Sequence, residues 1–208
     1  MSVLRVIKPC DYKQVPWKNG GGVTQDVLML PEGASHEDFD VRISLAPIVE
    51  EGPFSSFPGI DRHITRLSAN RLGLVFADRT QELNRLEPYA FDSVQQPRSV
   101  LPDGPARVLN VMTRRGRWRA HVKRLAASRP LLAAPEGGTV IVHALTGVWQ
   151  VSDATGSVLV HPDETLVATD ETSLHITGDP TGEALIAFLA PTNPHHDPAD
   201  ERSVPFNG

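Results

Sequence analysis

The 208-residue sequence contains one cysteine, Cys10, so no disulfide can form within the chain; that usage fits a reducing compartment. No apolar run approaches the roughly 18 residues needed to cross a bilayer. The opening residues, Met1-Ser2-Val3-Leu4-Arg5, hold neither an apolar stretch nor a small-residue cleavage site. No signal peptide is therefore expected, and the expected location is cytoplasmic. Basic excess is also missing. Twenty Lys and Arg against 25 Asp and Glu leave a net charge of −5, which removes the electrostatic case for nucleic acid or an anionic membrane. The local run Arg114-Arg115-Gly116-Arg117-Trp118-Arg119 is too short to reverse this and reads as a solvated strand end.

Signatures of common chemistry are absent too. There is no Gly-Lys-Ser/Thr phosphate loop and no Gly-x-Ser-x-Gly nucleophile elbow. Glu50 and Glu51 are adjacent, so in a strand they point to opposite faces, a poor arrangement for paired acid–base work. The pattern His-x-His, then Glu, then a later His does not occur. His63, His121, His143, His161 and His175 stand alone in or beside different segments, His36 falls in a loop, and His195-His196 lie in the tail. Neither a metal nor another cofactor is expected.

Alternation of apolar and polar residues is what the chain does have. In Phe39-Asp40-Val41-Arg42-Ile43-Ser44-Leu45-Ala46, one face carries residues 39, 41, 43 and 45 and the other 40, 42, 44 and 46. Further strands are predicted at 63–67, 72–76, 107–113, 118–125, 139–145, 148–151, 158–160, 165–168, 174–177 and 184–189. Eighteen prolines and 16 glycines are scattered between them as turn signals, a texture that argues for a sandwich or barrel. Residues 126–135 carry two prolines and little alternation and read as a linker; 192–208 reads as a polar tail.

Three segments carry a resemblance: Val15-Pro16-Trp17-Lys18-Asn19-Gly20-Gly21-Gly22-Val23-Thr24; Val41-Arg42-Ile43-Ser44-Leu45-Ala46 followed by Gly52-Pro53-Phe54-Ser55-Ser56-Phe57-Pro58-Gly59-Ile60-Asp61-Arg62; and Asn110-Val111-Met112-Thr113-Arg114-Arg115. In this order and spacing they resemble the HutD/Ves family over residues 4 to 125, with departures from the family pattern at Val41, Ala69, Arg71 and Val108. The resemblance implies a mainly β bicupin, two small barrels in one chain, associated with histidine utilisation as a regulator or metabolite binder. Formylglutamate and urocanate are the ligands it suggests. The expected division is 1–125 for a first barrel bearing the motifs and 136–191 for a second, supporting one without chemistry of its own, the two forming one compact unit.

The candidate ligand-binding residues are Lys18, Asn19, Arg42, Ser44, Phe54, Ser55, Arg62, Asn110 and Met112. The glycines after Lys18 and Asn19 free successive backbone N–H groups to face an anion, or simply make a tight turn. Arg42 and Ser44 point into a barrel if residues 41, 43 and 45 pack outward, and into solvent if those residues fill it; periodicity leaves both open. Arg62 is equally suited to a ligand carboxylate or to pairing with Asp61. Asn110 and Met112 share a strand face, as a mixed pocket wall or as core. The expected partner is a small anionic or polar metabolite, a dicarboxylate by the two arginines; a homodimer is left open. The alternatives are a metal-independent isomerase or hydrolase using His63 or His121 as acid or base, and a protein-interaction module whose pocket is filled.

Overall fold

The computed structural model describes residues 3–17, 22–125, 128–169 and 173–192. Its first strands are β1 (Val3–Ile7), β2 (Lys13–Pro16), β3 (Val23–Leu30), β4 (Val41–Ile48), β5 (Ile60–Arg66), β6 (Gly73–Val75), β7 (Thr80–Glu82), β8 (Pro88–Asp92) and β9 (Arg98–Val100). Then come β10 (Ala106–Arg114), β11 (Trp118–Leu125), β12 (Ser128–Ala133), β13 (Thr139–Thr146), β14 (Trp149–Ser152), β15 (Ser157–Val160), β16 (Thr165–Thr169), β17 (Ser173–Gly178) and β18 (Glu183–Pro191). The described helices are two single 3-10 turns, Pro9–Asp11 and Ser93–Gln95, and none is long and apolar enough to cross a membrane.

Four sheets stack as layers. A three-stranded sheet (β7-β6-β9) covers a six-stranded one (β2-β3-β4-β10-β5-β8); behind it lie a five-stranded sheet (β1-β16-β13-β18-β11) and a four-stranded one (β12-β17-β14-β15). The strands within them pair antiparallel. Among the described residues no sheet closes on itself, so the mainly β expectation holds while closed hydrogen-bonded barrels are not seen.

Period two explains the layering. On β4, Val41, Ile43 and Leu45 enter the central core together with Leu109 and Val111 of β10. There they meet Ile141, Val167, Leu185, Ala187 and Leu189 of the five-stranded sheet. The opposite face of that sheet packs Val140, Val142, Leu166 and Ile186 onto Trp149, Val151, Leu174 and Ile176. The interior of that layer pair is thus apolar. β4 is buried on both faces, which decides the alternative left open by its alternation: the apolar set packs against the neighbouring sheet, and Arg42, Ser44 and Ala46 face the other way.

One segment differs from expectation. The stretch read as a linker holds β12, paired with β17; of the two prolines that had argued against a strand, Pro130 falls where the register shifts between Arg129 and Leu132 and Pro135 lies beyond the strand. β1 and β11, both within residues 1–125, hydrogen-bond to strands of the C-terminal half, β16 and β18, so the halves share a sheet.

Candidate functional site

A cavity of about 820 Å³ opens on the face of the six-stranded sheet turned away from the central core. The register builds its floor. Met112 on β10 pairs with Arg42 on β4 at one side and with Arg62 on β5 at the other. One step along, Asn110 pairs with Ser44. Arg42, Ser44, Arg62, Asn110 and Met112 therefore project into one hollow, with the two arginines two strand spacings, about 10 Å, apart. Phe54 and Ser55 reach the same hollow from the 49–59 segment. Seven of the nine residues singled out from the sequence are thus brought together; Lys18 and Asn19 lie outside the described residues.

The two arginines differ in what they touch. Arg42 is 7% exposed, and its Nε and Nη2 donate to Oδ1 of buried Asp26 at 2.9 and 2.7 Å. Oδ2 of Asp26 accepts from His36 Nε2 at 2.8 Å. Since a carboxylate can only accept, this bond fixes Nε2 as the protonated ring nitrogen. The His36 side chain is 37% exposed at the cavity rim. Neither Asp26 nor His36 was singled out from the sequence. A bulge between Asp26 and Leu28 puts Val27 and Leu28 on the same face, so the strand lacks the alternation that would have revealed it.

Arg62 is 4% exposed and faces no carboxylate among the described residues. Asp61, the partner considered for it, points to the opposite face and pairs with Arg115. Successive strand residues cannot share a face, which is the physical reason the pairing fails. The guanidinium lies 5.5 to 5.7 Å from the ring centres of Phe54, Phe57 and Phe91. Its Nη2 donates to the Ser55 carbonyl at 3.3 Å, and its buried Nε has no partner. Burial, with the charge of Arg42 nearby, pushes its pKa down to about 10, so it remains charged at neutral pH. Arg66, two periods of the alternation further along β5, shows the contrasting structural case: Nε donates to the Leu83 carbonyl, and Nη1 contacts the carbonyls of Ser68, Ala69 and Asn70. The buried Oδ1 of Asn110 is a second unmet polar atom on the cavity floor.

The histidines considered as acid or base are elsewhere. His63 alternates with Arg62 onto the opposite face of β5, where burial lowers its pKa, and His121 sits on β11 opposite Phe188. Neither lines the cavity. Among the described residues no three His, Cys, Asp or Glu side chains gather in a way that would hold a metal ion.

The HutD family model matches residues 10–186 of the chain. This chain belongs to the HutD family. Protein Ves of Citrobacter koseri is 34% identical over 148 residues, 69% of this chain and 75% of that protein. An uncharacterised 21.2 kDa protein in the hutC 3′ region of Pseudomonas putida is 32% identical over 155 residues, 74% of this chain and 80% of that protein. The solved structure of HutD from Pseudomonas fluorescens superposes with a TM-score of 0.76 at 26% identity, covering 92% of this chain and all of that one. A cupin 2 conserved barrel domain protein from Leptotrichia buccalis, with a TM-score of 0.55 at 12% identity over 85% of this chain and 92% of that one, shares the fold alone. The fold of this chain is thus cupin-like, and Arg42, Arg62, Asn110 and Met112 build the floor of its cavity.

Proposed function

We propose that this HutD-family chain is a cytoplasmic bicupin that binds a small carboxylate in the cavity over β4, β10 and β5 and acts in histidine utilisation as a metabolite binder or regulator, without turnover. Arg62 is the observation that carries this reading. A buried charge with no counter-ion costs several kcal/mol, and folds rarely keep one without use. Here the unpaired guanidinium sits beside an empty volume large enough for a metabolite, under three aromatic rings and next to an unmet amide oxygen. A carboxylate on the Nη atoms of Arg62 would add to its hydrogen bonding and cancel its charge. An amide or imidazole group on the same ligand would meet the Asn110 side chain on the cavity floor. Formylglutamate and urocanate both offer that pair of groups.

Arg42 has a different part. Already neutralised by Asp26, it shapes and polarises the wall and is not the primary anion receptor. Calorimetric titration of the chain with formylglutamate, urocanate and histidine tests the reading. Binding of a carboxylate in the micromolar to low millimolar range, lost in Arg62→Met, supports it; no heat from any of the three at millimolar concentration rejects the ligand class.

A further inference from the structure

The buried charges of the cavity sum to one positive charge, because Arg42 and Asp26 cancel and Arg62 remains. A monocarboxylate neutralises that sum; a dicarboxylate leaves a net negative charge in a hollow of low dielectric. The rim offers no relief, since Glu37, Glu50 and Glu51 line it and repel a second carboxylate. Arg114 also lines it and shares Asp40 with Arg117, so that group keeps one positive charge; three glutamates outweigh it, and Arg114 is held by Asp40 Oδ1 at 3.0 Å and the Phe39 carbonyl at 2.6 Å. Lys13 lies opposite Asp26 on β2 and does not line the cavity. Among the described residues that line the cavity, His36 is the side chain that can add a positive charge by taking up a proton.

Its geometry suits that part. The bond from Nε2 to Asp26 Oδ2 fixes the ring and leaves Nδ1 as the atom that takes a proton. Asp26 cannot swing away, because its other oxygen is held by two donors of Arg42. The partial exposure of His36 gives the proton a path from solvent.

Resting on the carboxylate-binding reading above, we infer that His36 sets the charge class of the ligand: the site takes a monocarboxylate with no change of protonation, and a dicarboxylate only together with one proton that settles on His36. The ligand and the proton bind as a linked pair, and no bond is made or broken apart from the N–H at Nδ1.

Glutarate and its monoamide, glutaramate, have nearly the same shape and differ by one charge, which makes them the probes. Each is titrated calorimetrically into the chain at about pH 8 and about pH 6, in two buffers of different ionisation enthalpy. Glutaramate is expected to bind with little dependence on pH and no proton exchange. Glutarate is expected to be the weaker ligand at the higher pH, and to gain about tenfold or more on acidification while taking up close to one proton. In His36→Gln, whose amide can still donate to Asp26, the ratio of the two affinities should no longer depend on pH. The inference is overturned if glutarate at the higher pH binds as tightly as glutaramate without proton uptake, or if His36→Gln keeps the full pH gain, which would put the proton on the ligand. Absence of binding by both acids, in both proteins and at both pH values, overturns the carboxylate reading and this inference with it.

Discussion

Exchanging Arg62 for methionine separates binding from stability. The side chain keeps its length and apolar stem and loses its charge. Holding a guanidinium at about 10 means that burial disfavours the charged form by about 3 kcal/mol. Removing the charge recovers that cost. Against it stand the ring contacts with Phe54, Phe57 and Phe91, worth about 1–2 kcal/mol, and one long hydrogen bond to Ser55, worth about 1 kcal/mol. The balance is about zero to 1 kcal/mol in favour of Arg62→Met. Arg66→Met is the control on the same strand. It strands the carbonyls of Leu83, Ser68, Ala69 and Asn70, and should cost about 3 kcal/mol or more. Urea unfolding of the unliganded proteins at neutral pH reads both values. If Arg62→Met falls as far as Arg66→Met, Arg62 is an ordinary structural residue and the ligand argument loses its basis.

Three further outcomes follow from the same geometry. Asp26→Ala removes the counter-ion of buried Arg42 and should destabilise by about 3–5 kcal/mol, measured by urea unfolding. His143 is buried, and desolvation lowers its pKa to about 4. The unfolded chain then takes up a proton below about pH 6.5 while the folded chain resists it until about pH 4, so stability is full above the first value and falls by about 3 kcal/mol on acidification between them. A series of urea melts from about pH 7 to 4 checks this, and His143→Gln should flatten the profile. Gly178 lies against the Trp149 ring with no room for a Cβ, so Gly178→Ala should cost about 1–3 kcal/mol and alter tryptophan fluorescence.

The legible parts of the sequence were those where period two runs unbroken. β4 and β10 showed their two faces directly, and once the register joined them through Met112 to β5, Arg42, Arg62 and Asn110 had to share a hollow. Which face was inner needed the second sheet, because β4 is buried on both sides and alternation marks only that its faces differ. β3 was hidden by its bulge, and Asp26 with it. β12 was hidden by Pro130 within it and Pro135 just beyond, and β1, β2 and β8 are short and owe their structure to the partners they pair with. His36 could not be read at all: it lies in a loop and gains its place only because Asp26 holds it.

The most direct test is a crystal of the chain soaked with urocanate, read at the Arg62 guanidinium. The account predicts a carboxylate oxygen within about 3 Å of a guanidinium Nη atom of Arg62, with the imidazole portion near Asn110. A carboxylate bound elsewhere, with Arg62 still unpaired beneath its three rings, would contradict it.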